Sequence, residues 1–403
     1  MKNVVALILA GGRSTEYGVL TQNRVKGALN FASNFRIIDF ALSNLRNSGI
    51  DKVGLIIQYL PSSLIEHVGE GRAWDLHGYG RALKLMPPFV GTGSTSWYRG
   101  TAEAVSRNMS FVDDLKPDTV MVLSGEHVFH EDFNKALSFH HDNNADITMI
   151  VKDLPEEEKS SRFGYAVLKE GSNRVEKFIE KPQIPPANGF VSNGTYIFKR
   201  KVLLELLEET QDSAEKNLTR DVLQPYCGQL QTYAYKSTDF WNYLGNPIAY
   251  QDCQLKLTRG EGLQLLKSWG ILTNAEDRNS GYRAPAFFTK SAQIDDTIVG
   301  PGCRIEGTVA HSILSPGVKI SKGAVVRNSV LMHDCTVEAG AHLDGVISDK
   351  DVCFGTNSRV GYSMPQEGIS KEHYEQCKEL VLVAKGLYIM PNCNVPKGIQ
   401  LDK

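Results

Sequence analysis

Residues 9–18 read Leu-Ala-Gly-Gly-Arg-Ser-Thr-Glu-Tyr-Gly and follow directly on an apolar run over 4–10. A glycine pair after a strand lets phosphate oxygens approach backbone N–H groups closely. Gly11 and Gly12 are therefore candidate phosphate contacts. No G-K-[ST] closes the loop and no G-x-G-x-x-G is present, so it is neither a Walker loop nor a dinucleotide fingerprint. A tight turn without any ligand would use the same two glycines. The cysteines at 227, 253, 303, 335, 353, 377 and 393 form no C-x-x-C pair and have no His at zinc-ligand spacing. They read as reduced thiols that pack as small hydrophobes.

The elements around this loop alternate. Continuous apolar runs predict buried strands over 4–10, 52–58, 119–123 and 146–151. Helical spacing predicts helices over 37–48, 61–68 and 131–143, the first with Ile38, Leu42 and Leu45 on one face. Strands alternating with helices imply a doubly wound, mostly parallel Rossmann-like α/β sheet. Ligands of such sheets bind beyond the carboxyl ends of the strands, which here means 10–25 and 124–130. A helix over 248–260 leaves this domain, and 261–284 serves as a linker.

From about residue 286 the pattern changes. Leu314, Ile320, Val326 and Met332 lie six residues apart, as do Val383, Ile389, Val395 and Leu401. A six-residue repeat is neither a helical period nor a hairpin alternation. It predicts a left-handed parallel β-helix in which each of these aliphatics points inward and stacked coils bury one core. Residues 362–380 break the period and read as a helical excursion. The division is 1–250 for the α/β domain, 251–285 for a helical linker and 286–403 for the β-helix.

Further motifs extend the first loop. They are Arg24-Val25-Lys26, Phe35-Arg36-Ile37-Ile38-Asp39-Phe40, Trp97-Tyr98-Arg99-Gly100-Thr101, Ser124-Gly125-Glu126-His127, Phe163-Gly164, Phe178-Ile179-Glu180-Lys181-Pro182 and Ser192-Asn193-Gly194-Thr195-Tyr196. Taken in order, and with the β-helix behind them, they resemble the sugar-nucleotide pyrophosphorylases, and among these the ADP-glucose pyrophosphorylases. The resemblance covers essentially the whole chain. It implies the reaction of ATP with glucose 1-phosphate to ADP-glucose and pyrophosphate, in the cytoplasm, with Mg²⁺, for glycogen synthesis, by an allosterically regulated tetramer. It also implies that Gly11, Gly12, Thr15 and Lys26 hold the nucleotide, with Lys26 also catalytic. Tyr98, Gly164, Glu180, Lys181 and Ser192 would hold glucose 1-phosphate. Lys181 suits a sugar phosphate as a point cation, and Glu180 and Ser192 suit sugar hydroxyls.

Several positions depart from that family. Its usual loop, Gly-Gly-x-Gly-Thr-Arg-Leu, has Ser14 at the third glycine and Glu16 at the triphosphate-binding arginine. Glu16 against three phosphates in a desolvated site costs on the order of several kcal/mol. The metal-binding aspartate after Ser-Gly is Glu126, one methylene longer. The second metal aspartate, in Trp-Arg-Asp-Val-Gly, is Tyr243, and a neutral phenol is a poor magnesium ligand. Gly27 stands at a proline, and Asn34 at the activator-contacting lysine. The departures fall on the triphosphate and its metal, while the sugar-phosphate positions are kept.

The chain has 44 basic and 46 acidic residues, which leaves no strong overall field for nucleic acid or anionic membrane. Its apolar run at 4–10 is too short to span a bilayer. Two readings of the altered site compete: a regulatory chain with little or no turnover, paired with a catalytic homologue in a heterotetramer, and an active enzyme with an altered metal and triphosphate site. Acyl transfer by the β-helix would need a catalytic histidine. His311, His333 and His342 lie in the repeats, where solvent-facing histidines are the simpler reading.

Overall fold

The computed structural model describes residues 3–89, 97–209, 216–260, 262–276, 282–362 and 380–402. In chain order its main elements begin with β1 (Val4–Leu9), α1 (Ile38–Asn47), β2 (Lys52–Ile56), α2 (Ser62–Val68), β3 (Ala82–Met86) and β4 (Thr119–Ser124). They continue with α3 (Phe133–Asp142), β5 (Ile147–Lys152), β6 (Gly164–Leu168), β7 (Val175–Glu180), β8 (Gly189–Lys199), β9 (Thr232–Lys236), α4 (Pro247–Leu255) and α5 (Gly262–Ser268). The strands and helices expected from periodicity are all present, with shifted ends. Helix α3 starts at Phe133 rather than 131 because Asp132 caps it, its carboxylate accepting from Asn134 N–H at 3.1 Å. Residues 261–284, read as linker, contain the helix α5.

The chain divides into two compact units, the first made of Met1–Gly12, Phe40–Tyr59 and Glu70–Trp241. Its sheet runs β7-β6-β8-β4-β1-β2-β3, with β5 on β8 and β9 on β5. The centre is parallel, and Leu9 lies in register with both Ile56 and Ser124. Val4 to Ile8 are all buried, as a strand covered on both faces must be. Strand β8 runs antiparallel to β4, β5 and β6. Its register against β5 shifts between Ser192 and Tyr196. Such an irregularity re-aims side chains next to a site, and here it falls on Ser192-Asn193-Gly194.

The second unit is made of Arg13–Asp39, Leu60–Gly69 and Asn242–Lys403. Three six-stranded parallel sheets form a left-handed β-helix. Ile320, Val337 and Phe354 stack on one side, and Val326, Leu343 and Val360 on the next. On the third side the stack is Leu314, Leu331 and Ser348, not Met332. This corrects the expectation that Met332 points inward. A central coil takes seventeen residues rather than eighteen, so the repeat slips by one at its third corner. Met332 is buried, but Leu331 belongs to the apolar core of the coils. The excursion read over 362–380 lies almost wholly outside the described residues. Phe354 pairs with Ile389 and Val360 with Val395, so the coil resumes in register beyond it. Within this unit Arg24 forms a buried ion pair with Asp349 at 2.8 Å.

Candidate functional site

In the first unit the glycine pair sits just past β1. Gly11 is required sterically, since a Cβ there would lie 2.7 Å from the backbone N of Gln58. A Cβ on Gly12 would meet the Glu126 carboxylate at 3.2 Å, so that side chain faces the glycine turn. Gln58 also reaches Tyr98, accepting from its N–H at 2.7 Å and donating to its carbonyl at 3.3 Å. The Tyr98 hydroxyl accepts from Asn108 at 3.0 Å, and burial holds this phenol above its ordinary pKa.

The sugar-phosphate candidates converge on β6, β7 and β8. Glu180 pairs with Gly164 across the β7–β6 register, and a Cβ on Gly164 would lie 2.7 Å from Glu180 Oε2. Any side chain at 164 would therefore displace the carboxylate. Burial pushes the Glu180 carboxyl above the usual range, with Lys181 drawing it down again. Lys181 has φ +48, a left-handed conformation that strains a residue with a Cβ, and its N–H donates to the Phe163 carbonyl at 3.0 Å. Ser192 donates to the buried Tyr196 hydroxyl at 2.9 Å and accepts from Gly194 N–H at 3.2 Å. Burial, reinforced by Glu180, pushes the Tyr196 phenol upward. Gly164, Glu180, Lys181 and Ser192 thus form one group linked through Tyr196.

Tyr196 and the cluster beside it were not singled out from sequence. Trp241 Nε1 donates to His127 Nδ1 at 3.1 Å, and Phe163 lies against the same indole with ring centroids 5.7 Å apart. The aromatic types at 163 and 241 were visible, but nothing in their spacing joins them.

The second unit holds Thr15, Glu16, Lys26 and Tyr243. Thr15 opens a 3-10 segment, Thr15–Thr21, and is exposed. Lys26 is buried. Its ammonium donates to the Leu244 carbonyl at 3.3 Å and lies 3.7 Å from Glu16 Oε1. It also sits over the rings of Tyr17 and Tyr243, 5.7 and 5.6 Å from their centroids. Asn34 accepts from Ser33 Oγ at 3.3 Å. In the β-helix, His311 meets Arg259 at 3.0 Å, His342 packs edge-on against Tyr362, and His333 is buried.

These surroundings do not fit the magnesium site that the resemblance implies. The position of the second carboxylate is a phenol ring already engaged by an ammonium, which repels a dication. Among the described residues no three His, Cys, Asp or Glu side chains converge as a metal site. No helix among them is long and apolar enough to cross a membrane.

A parallel sheet with a glycine turn at its centre, followed by coils of hexapeptide repeats, defines a nucleotidyltransferase domain with a β-helix attached. The nucleotidyl transferase family model matches residues 5–260, and the GlmU-like C-terminal hexapeptide model matches 285–383. A glucose-1-phosphate adenylyltransferase of Desulfitobacterium hafniense is 34% identical, covering 92% of this chain and 93% of its own. Proteins of the same name are 34% identical in Acetivibrio thermocellus, over 100% and 93%, and 37% identical in Clostridioides difficile, over 82% and 85%. The chain belongs to the glucose-1-phosphate adenylyltransferase family.

Proposed function

We propose that this chain binds glucose 1-phosphate, has little adenylyltransferase activity of its own, and serves as the regulatory partner of a catalytic homologue in a tetramer in the cytoplasm. The observation that carries this reading is the pairing of buried Lys26 with Glu16. In the family reaction a phosphate oxygen of glucose 1-phosphate attacks the α-phosphorus of ATP, the bond to the bridging oxygen breaks, and pyrophosphate leaves. That transfer depends on alignment and charge neutralisation, normally with a divalent ion such as Mg²⁺. Lys26 would supply positive charge to the phosphates, but its partner here is a carboxylate of the same chain. Gly11 and Gly12 keep their backbone donors for the nucleotide, and Tyr98, Gly164, Glu180, Lys181 and Ser192 hold the sugar phosphate. Glu126 alone is a weak metal ligand.

The test is pyrophosphate release by the purified chain, alone and co-expressed with an intact homologue. The reading expects near-background release alone, and a mixed tetramer whose response to effectors differs from that of the homologue by itself. Family-typical turnover by the chain alone would establish the altered-site enzyme instead.

A further inference from the structure

A buried polar cluster lies at the root of the turn that carries Glu126 and His127. Glu131 is 2% exposed and Lys152 5%, and Ser237 stands between them. Ser237 Oγ donates to Glu131 Oε2 at 2.6 Å and accepts from Lys152 Nζ at 2.9 Å and from Asp239 N–H at 3.2 Å. A hydroxyl has one proton and two lone pairs, so these contacts saturate it. Lys152 also donates to the Asp239 carbonyl.

The cluster closes one end of a short ladder between residues 127–131 and 237–241. Midway, His130 N–H donates to the Phe240 carbonyl at 2.9 Å. At the far end Trp241 Nε1 donates to His127 Nδ1 at 3.1 Å. That same Nδ1 is shared, because it also faces a backbone carbonyl, that of Asn193 next to Ser192, at 3.0 Å. The ladder therefore ends between Glu126 on one side and the irregular turn of β8 on the other.

We propose that Glu131, Ser237 and Lys152 are positioning residues whose relay fixes the register of 237–241 against 127–131, and so holds Trp241 on His127 and Glu126 in place beside the ligands. This rests on the reading that Glu126 and Ser192 face bound substrate. Buried charged groups are a poor source of stability, since apolar replacements of similar volume are often neutral or better. A polar relay does define one register where apolar side chains would tolerate several.

Three variants of the full chain test this: Ser237→Ala, Glu131→Gln, and an apolar triple, Glu131→Leu with Ser237→Ala and Lys152→Met. The readouts at pH 6 are melting temperature, amide hydrogen exchange over 126–131 and 237–241, and the glucose 1-phosphate concentration giving half the maximal melting shift. Ser237→Ala is expected to speed exchange in both stretches at least tenfold and to raise the half-maximal concentration about tenfold. Glu131→Gln keeps an oxygen for the serine proton, exchanges no faster than the parent in either stretch and leaves the half-maximal concentration within twofold. The apolar triple keeps its melting temperature within a few degrees yet shows the same fast exchange. An apolar triple with parental exchange in both stretches overturns the proposal, as does Glu131→Gln behaving like Ser237→Ala. Should Ser237→Ala fail to fold, the other two variants decide. If the parent itself ignores glucose 1-phosphate, the pocket reading fails and exchange alone judges the relay.

Discussion

The ammonium of Lys26 lies 3.7 Å from the Glu16 carboxylate, with the lysine 3% exposed and the glutamate 32%. Ten residues separate them, and the same 3-10 segment that begins at Thr15 brings Glu16 round to Lys26. On the proposed reading the carboxylate competes with a phosphate for this ammonium. Replacement by glutamine should free the ammonium. Glu16→Gln should bind ATP or pyrophosphate on the order of tenfold more tightly, and the gain should shrink as salt rises. Titration calorimetry at two ionic strengths checks this; unchanged affinity at low salt would show that Glu16 does not compete.

The sugar-phosphate group makes an independent prediction. Glucose 1-phosphate should raise the melting temperature by mass action, and Lys181→Ala should remove that shift while leaving the unliganded melting temperature nearly unchanged, because Lys181 is exposed. A shift that survives Lys181→Ala would place the phosphate elsewhere.

How much of this was legible in the sequence differs by feature. The coils were, because each repeats a buried aliphatic on a fixed period. Their one-residue slip at Leu331 was not, because Met332 is equally apolar, and Ser348 breaks the third stack with a hydroxyl. The Gly164–Glu180 contact follows from hairpin register, so two separate motifs proved to be neighbours. The Glu131–Ser237 bond joins residues 106 apart, and Ser237–Lys152 joins residues 85 apart. Isolated Glu, Ser and Lys side chains give no pattern from which such a relay follows. Glu16 read as a repulsive charge toward a ligand; its attraction to Lys26 needed the fold of the loop.

Glu131 carries a pH prediction. Burial pushes its carboxyl up from 4.5 to about 7, while Ser237, Lys152 and Lys135 draw it down and Asp239 pushes it up. His130, Asp132 and Tyr235 are the other titratable neighbours, and Lys152 is itself held below its ordinary value by burial. An acid with a raised folded pKa stabilises fully below its unfolded value and loses that contribution as pH rises through its folded value. Glu131→Gln should therefore match the parent near pH 4.5 and exceed it by about 3 kcal/mol above pH 7.5, an upper figure from 1.36 kcal/mol per pKa unit. Urea denaturation across pH 4.5–8 measures the difference; a gap that does not grow with pH would refute the assignment.

The Arg24–Asp349 pair, 4% and 1% exposed, ties the loop bearing Lys26 to the β-helix. Asp349 also accepts from the Lys350 N–H at 2.6 Å. Removing one partner strands a buried charge, so Asp349→Ala should cost about 3–5 kcal/mol, and Arg24→Met with Asp349→Leu should recover much of it. Denaturant midpoints report both; a mild Asp349→Ala would mean that water reaches the pair.

The claim that this chain turns over little by itself is tested most directly by steady-state pyrophosphate release at saturating ATP and glucose 1-phosphate with Mg²⁺. The parent is compared with a triple variant, Glu16→Arg, Glu126→Asp and Tyr243→Asp, both checked for fold by circular dichroism. The resemblance assigns the three positions to one triphosphate and its metal, so on the proposed reading single changes should do little and the combination should be non-additive. The account predicts a parent near background and a triple variant faster by at least about tenfold, or about 1.4 kcal/mol of barrier. A parent already at family-typical rates, and slowed by the three changes, would contradict it.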